Sequence, residues 1–330
     1  MSAADVLVVG AGVAGLAAAG ALQAAGRRVV VIDKGRSPGG RLATRRLGDG
    51  RADHGAQFFT VRSPELATVV AGWLDGGLAY EWSRGWSDGS LLEVPPDGYP
   101  RYAARDGFSA LAKHLAAGLD VRLNTRLVSV ARSGAGWQAV DEAGNLVEAS
   151  ALLLTPPVPQ SLLLLDAGGV ALMEADRIAL DAITYAPCLC GLFVVAGGTR
   201  LPEPGALQRP DHAVSWIADN HRKGISPARR VLTVHAGRKS SQARWDAEDA
   251  AVLAWLEQEL RPFLVEDAVI EERQLKRWRY AVPEVVFPRP CLIAQLDALL
   301  AFAGDAFDGP RVEGAVLSGW AAARALLDRL

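Results

Sequence analysis

Six residues near the start of the chain, Gly10-Ala11-Gly12-Val13-Ala14-Gly15, place glycine where a backbone must turn sharply and lie open to a bulky anion. They follow Asp5-Val6-Leu7-Val8-Val9, a run suited to a central parallel strand buried on both faces. They precede a stretch of small residues with Leu16 and Leu22 on its apolar side. Between a strand and a helix, the missing side chains let a pyrophosphate approach the backbone and the helix N-terminus. The next strand, Arg28 to Ile32, ends at Asp33. A carboxylate there accepts hydrogen bonds from ribose hydroxyls and repels a ribose phosphate. The spacing predicts a βαβ unit holding the plain adenosine end of a dinucleotide.

A second clamp follows at once. Lys34 and Arg36 lead into Gly39-Gly40-Arg41, with Arg45 and Arg46 beyond, so this loop offers cations and backbone donors to the pyrophosphate. As a set these residues favour FAD over NAD. At the other end of the chain a strand from Leu299 runs to Gly304-Asp305, and Val312-Glu313-Gly314-Ala315 opens a helix that continues to Arg329. Its N-terminus supplies N–H groups and a dipole for a ribityl or pyrophosphate oxygen. Asp305 is expected to bind the ribityl chain or to order a water beside the phosphate.

The elements that must position these residues have room to form. The chain has 330 residues, half of them hydrophobic and 22% charged, which suits a globular protein with two lobes and no disordered tail. A net charge of −2 leaves no basic footprint for nucleic acid. The N-terminal apolar run carries Asp5 instead of a basic leader and reads as strand and helix, not signal peptide. No run reaches the roughly 18 apolar residues of a membrane span, so a soluble protein is expected. Cys188, Cys190 and Cys291 cannot all pair, which fits a reducing cytoplasm. The five histidines have no metal-ligand spacing and no G-x-S-x-G elbow is present, so neither a metal site nor a serine hydrolase is expected.

Further along, a helix is expected over Glu65 to Leu74, loops and short strands over Asp75 to Arg101, and a helix over Gly107 to Leu115. A meander of strands ends at Thr155-Pro156-Pro157. Strands at Leu189 to Val195, Ala213 to Ile217 and Val231 to His235, with a helix from Glu248 to Leu260, read as an inserted lobe. The expected division is a discontinuous FAD-binding domain over residues 1–60, 101–157 and 273–330, and a substrate-binding domain over 61–100 and 158–272.

The glycine turn, Asp33, Gly39-Gly40-Arg41, Thr155-Pro156-Pro157 and Gly304-Asp305 through Ala315 together resemble the flavin-containing amine oxidase superfamily. Four further segments resemble its bacterial renalase branch: Asp53-His54-Gly55-Ala56-Gln57-Phe58-Phe59-Thr60, Ser215 to Asn220, Arg277-Trp278-Arg279-Tyr280-Ala281 and Gly309 to Ala315. The resemblance covers essentially the whole chain. It implies an α/β Rossmann-like FAD/NAD(P)-binding domain of the p-hydroxybenzoate hydroxylase-like two-lobe architecture, with an inserted α+β substrate domain. It implies FAD held by Gly10, Gly12, Val13, Ala14, Gly15, Asp33, Lys34, Gly40, Arg41, Gln57, Phe58, Val128, Thr155, Gly304, Asp305, Val312, Glu313 and Ala315. Some relatives attach flavin through a cysteine before the last helix. Ala306 to Arg311 contains none, so the FAD is expected to be noncovalent.

The reaction that the renalase resemblance implies is oxidation of dihydronicotinamide dinucleotides reduced at an unusual ring position to NAD(P)⁺, with dioxygen reduced to hydrogen peroxide. Its candidate pocket residues are Gln57, Asn220 and His235, with Arg279 and Tyr280 near the flavin face and Trp216 as a wall. From the residues alone, His235 reads equally as a core histidine and Asn220 as a turn residue. Arg222, Lys223 and Arg238 are further candidates for a substrate pyrophosphate, or a solvated face. An amine oxidase is the nearest rival, with Trp82, Trp86, Tyr99 and Trp278 as its aromatic cage. A flavin-dependent desaturase or isomerase and a noncatalytic flavin-binding module are the others.

Overall fold

A computed structural model describes residues 4–90, 98–307 and 309–330. Part of the segment expected to form loops between Asp75 and Arg101 lies outside these residues, as does Asp308. The chain divides into two compact units, Met1–Leu42 with Ala112–Thr184 and Pro283–Leu330, and Ala43–Leu111 with Tyr185–Val282.

The first unit is built on a sheet with strand order Leu292–Ile293, Leu299–Phe302, Leu146–Leu154, Ala4–Val9, Val29–Ile32 and Asp120–Arg122. Its central strands are parallel, with Val6 opposite Val29 and Val9 opposite Ile32. Parallel neighbours need a crossover, and the helix Val13–Ala24 provides it. Val6, Leu7, Val8 and Val31 are wholly buried, as strands covered on both faces must be. Leu127–Ser133 and Gly136–Asp141 form an antiparallel meander onto Leu146–Leu154. The last strand stops at Phe302, so Gly304 and Asp305 lie in the turn beyond it.

The second unit carries a five-stranded sheet in the order Ala206–Gln208, Val214–Asp219, Val231–Ala236, Tyr185–Ala196, Val269–Pro283. One face packs Leu189, Phe193, Ile217 and Val234 against Val252, Leu256 and Leu260 of the helix Asp249–Leu260. The opposite face meets two hairpins. Leu47 and Ala52 of Thr44–Leu47 and Gly50–Asp53 pack on Cys190, Leu192, Val194 and Val231. Trp82 and Ala103 of Ala79–Ser83 and Arg101–Ala104 pack with Ala206, Trp216 and Ala218.

These units redraw the expected domain boundaries. Residues 43–60 and 101–111 join the second unit because the first hairpin is bonded into it, the Arg51 and Asp53 amides donating to Ser226 and Asn220. Residues 158–184 join the first unit: after helix Val158–Ala167 the chain passes against the Val130 carbonyl at Gly168, closely enough to exclude a side chain there. Residues 273–282 complete the edge strand Val269–Pro283 and so stay with the second sheet.

Candidate active site

In the first unit, the turn between Val9 and Val13 leaves a cradle of backbone. Gly10 has φ +99°, and a Cβ on Gly15 would lie 2.0 Å from the Gly10 carbonyl oxygen, so both must be glycine for the turn to close. Gly12 is different. A Cβ there would meet nothing within 4 Å, so the protein's own packing does not require its glycine. Gly12 caps the helix Val13–Ala24 without a side-chain bond, and the first turn carries no acidic residue. Open space above a helix N-terminus with unclaimed N–H groups suits a pyrophosphate.

The surrounding residues hold that cradle. Asp33 accepts from the Ala11 N–H through Oδ2 at 2.7 Å and from the Gly35 N–H through Oδ1 at 2.6 Å. Each oxygen keeps acceptor capacity for a ribose hydroxyl. Thr155 donates its hydroxyl to the Val9 carbonyl at 2.8 Å, tying the third strand to the turn. The Gly39 amide donates to the Ala11 carbonyl at 2.7 Å, laying the Gly39-Gly40-Arg41 loop along the cradle. Arg41 reaches Asp305 with two hydrogen bonds of 2.6 Å each. Gly304 is fixed by its N–H donating to Ser318 Oγ at 2.8 Å, and buried Glu313 sits in the first turn of Val312–Leu327. Lys34 lies at the surface, 3.4 Å from Gln160 Oε1, and Val128 is 43% exposed on the meander.

In the second unit, the sheet face opposite helix Asp249–Leu260 gathers the other polar groups. Strand alternation puts Cys190 and Trp216 beside His235 on neighbouring strands. The His54 ring stacks on Trp278 at 5.3 Å, and the Trp278 indole N–H donates to the His54 carbonyl at 2.8 Å. Gln57 donates its amide to the Asp53 carbonyl at 2.8 Å and accepts the Trp216 indole N–H at 3.2 Å. Phe58, Trp82, Trp86 and Trp216 form a mutually packed aromatic group, with ring centres 4.7 Å apart for Trp82 and Trp86 and 4.9 Å for Trp86 and Trp216.

Three buried ring nitrogens on this face, His54 Nδ1, His235 Nε2 and Trp86 Nε1, have no hydrogen-bond partner among the described residues. Burial lowers His54 to a pKa of about 3, helped by Lys276, His235 and Arg45. Burial likewise lowers His235 to about 4, opposed by the His54 backbone and helped by Lys223. Both imidazoles are therefore neutral at physiological pH, and no carboxylate is among the groups acting on them. Buried polar groups without partners are costly and uncommon, which sets these three apart.

The sequence pattern of NAD(P)-binding Rossmann-like domains matches residues 8–73, and that of flavin-containing amine oxidoreductases matches residues 72–327. The chain belongs to the flavin-containing amine oxidoreductase family. The glycine cradle, Asp33 and the two helix N-termini of its first unit fit the FAD of that family. Coproporphyrinogen III oxidase of Mycobacterium tuberculosis strain H37Rv is 27% identical over 282 residues, 82% of this chain and 60% of that protein. The chain thus spans about 60% of the length of the curated relatives it matches. Among solved structures, cyclohexylamine oxidase of Brevibacterium oxydans superposes with a TM-score of 0.75 at 13% identity, covering 99% of each chain. A putrescine oxidase variant superposes with 0.71 at 16% identity, again over 99% of each. These likenesses show the fold.

For this flavoenzyme the expected site residues separate into groups. Gly10 through Gly15, Asp33, Gly40, Arg41, Thr155, Gly304, Asp305 and Val312 to Ala315 all lie in the first unit. Gln57 and Phe58 lie in the second, beside Trp216. Tyr280 meets Tyr185 edge-on at 5.5 Å, and Gln57, Trp216 and His235 share the face described above. Arg279 does not. Strand alternation turns it to the other side of the sheet, over the Trp245 ring at 5.2 Å.

Asn220 is fully buried and its side chain is committed. Its Nδ2 donates to the Val231 carbonyl and Thr233 Oγ1, both at 2.9 Å, and its Oδ1 accepts the Asp53 N–H at 3.2 Å. It fastens strands together, its side-chain polar atoms taken up within the protein. Lys223 is also no phosphate ligand, since its side chain is entirely buried against Asp53. Arg222 is paired with Glu203. Of the expected aromatic cage, Trp82 and Trp86 pack together and face the protein's own Lys223 and Arg101, whereas Trp278 faces His54 and exposed Tyr99 lies under Arg62. His54 and the Asp53–Lys223 pair were missed as functional candidates. His54 sat inside a quoted motif, but no spacing in the sequence marks it as facing His235. Among the described residues no helix is long and apolar enough to cross a membrane.

Proposed function

We propose that this flavoenzyme oxidises isomeric dihydronicotinamide dinucleotides to NAD(P)⁺ and that its turnover releases hydrogen peroxide. The observation that carries this reading is the character of the His54–His235 face. Two imidazoles are held neutral there, with Lys276 and Arg45 as charged neighbours of His54. None of the groups acting on the two rings is a carboxylate that would draw an ammonium substrate to them. The Trp82 and Trp86 rings already face the protein's own cations, Lys223 at 4.7 Å and Arg101 at 5.8 Å. An uncharged dihydropyridine with a carboxamide, carried on an anionic dinucleotide, matches both features. Its carboxamide can donate and accept, as neutral imidazole nitrogens require.

Bound FAD supplies the acceptor for the hydride, and dioxygen with one further proton takes the two electrons away as hydrogen peroxide. The chain's own residues bind and orient. Trp216, fixed by Gln57, offers a flat wall for the ring, and the packed aromatic group beside it excludes water. His235 presents Nε2 as a hydrogen-bonding atom that stays uncharged over the physiological range.

A second reading has one observation in its favour. A porphyrinogen bearing carboxylates would also suit positive surroundings, and the Mycobacterium tuberculosis relative is named for such a substrate. The test is a peroxide assay on the FAD-loaded protein with four substrates run separately: borohydride-reduced NAD⁺, enzymatically made NADH, an amine panel and coproporphyrinogen III. Peroxide from the borohydride mixture alone is expected. Peroxide from an amine, or porphyrin fluorescence growing from coproporphyrinogen III with the dihydronicotinamides inert, would replace the proposal.

A further inference from the structure

Lys223 and Asp53 form an ion pair with no solvent exposure of either side chain. The Lys223 ammonium lies 2.7 Å from Asp53 Oδ2 and 2.7 Å from the Gln57 carbonyl, with the Trp82 and Phe108 rings at 4.7 and 5.2 Å. Tyr80 donates its hydroxyl to the Lys223 carbonyl. Asp53 is engaged at every polar atom. Oδ1 accepts from Thr44 Oγ1 at 2.6 Å and from the Phe108 N–H at 3.0 Å; the amide donates to Asn220; the carbonyl accepts from Gln57 Nε2 and Thr233 Oγ1.

Such a pair is a poor device for stability alone. Removing two charges from water costs about what their attraction returns, and apolar replacements of similar volume are often as stable or more so. Its geometry does something an apolar pair cannot. One ammonium grips both ends of the five-residue loop Asp53-His54-Gly55-Ala56-Gln57, the side chain at the start and the carbonyl at the end. His54 follows directly on the first gripped residue, and the end of the loop carries the amide oxygen that receives the Trp216 indole N–H.

We propose that Lys223 is a positioning residue, which through Asp53 and the Gln57 carbonyl sets the orientation of His54, Gln57 and Trp216 for the reaction. This rests on the reading that the His54–His235 face receives the substrate ring. It holds for whichever oxidisable ring is bound.

The test uses the full chain loaded with FAD. In D53L/K223M we expect a folded protein with a lowered Tm, because the buried Phe108 N–H, Thr44 hydroxyl and Gln57 carbonyl each lose a partner. Its kcat should fall about tenfold or more while KM moves less than about threefold. The Trp216 indole ¹⁵N–¹H resonance, assigned with W216F, should shift. Q57A should reproduce the kinetic loss, and adding K223M to Q57A should cost no more than about a further twofold. Unchanged kcat with an unmoved Trp216 resonance would reduce the pair to a structural element, as would additive losses in the Q57A background. If D53L/K223M does not fold, K223R decides in the same way, because it keeps the charge and replaces the compact ammonium with a planar fork. The indole readout needs no substrate, so inert dihydronicotinamides would sink the proposed function and leave this test intact.

Discussion

Arg41 and Asp305, 264 residues apart in the chain, meet in a two-point ion pair with both nitrogen–oxygen distances at 2.6 Å. The guanidinium comes from the loop after the second strand and the carboxylate from the turn after the last strand of the same sheet. Without Arg41, the Asp305 carboxylate would lose this counter-charge. Arg41→Gln should weaken FAD binding about tenfold, and Arg41→Lys should weaken it less, because a single ammonium keeps the charge but not the fork. Fluorescence titration of the apoprotein checks both. Equal affinities in parent and R41Q would remove Arg41 from the cofactor site.

Gly12 and Gly15 separate packing from ligand space. Gly15→Ala puts a methyl group 2.0 Å from the Gly10 carbonyl, so the turn must deform and the protein should lose stability. Gly12→Ala meets nothing in the protein within 4 Å. Its Tm as apoprotein should stay within about 2 °C of the parent, while FAD affinity falls about tenfold or more. Thermal melts of the apoprotein and FAD titration of each variant separate the two cases.

The two histidines fix a pH dependence with a definite sign. Their folded values of about 3 for His54 and about 4 for His235 lie below the ordinary 6.5. Between those values and 6.5 the unfolded chain binds more protons, so stability is lost as pH falls below 6.5 and the pair adds no slope above it. At pH 5, His235 accounts for a loss on the order of 2 kcal/mol relative to neutral pH. Urea melts at pH 5 and 7.5 should show this difference shrinking in His235→Gln. For the same reason kcat/KM should show no inflection near 6.5 from either ring.

Asn220→Ala should act on stability. It strands the buried Asp53 N–H and removes one of the bonds at the Val231 carbonyl and at the Thr233 hydroxyl, at a cost of about 1–3 kcal/mol in urea unfolding. His235→Ala should act on turnover, with little change in FAD affinity. A large kcat loss in a fully folded Asn220→Ala protein would return Asn220 to the substrate contacts.

The cofactor cradle was legible because its chemistry is local. Gly10 through Gly15 follow a strand directly, and the turn geometry that demands glycine is written in six adjacent residues. The Asp33 carboxylate sits where the second strand ends for the same reason. The alternation that sends Arg279 away from Tyr280 was also readable, since adjacent strand residues face opposite ways, although both had been assigned to one face.

Other features depend on residues brought together from far apart. Lys223 lies in His221-Arg222-Lys223, a run that reads as a solvated turn, and only Asp53, 170 residues earlier, makes its burial possible. Asn220 read as a pocket residue because no local signal shows that strands at 53, 231 and 233 consume its hydrogen bonds. The unit boundaries shifted for the same reason, the hairpin ending at Asp53 being held by partners from the second half of the chain.

The most direct test of the central claim is anaerobic rapid mixing of the FAD-loaded protein with borohydride-reduced NAD⁺, following flavin absorbance, with enzymatically made NADH in a parallel run. The account predicts fast bleaching by the mixture, slow or no bleaching by ordinary NADH, and hydrogen peroxide on readmitting air. Flavin that stays oxidised with the mixture but bleaches with an amine or with coproporphyrinogen III would contradict it.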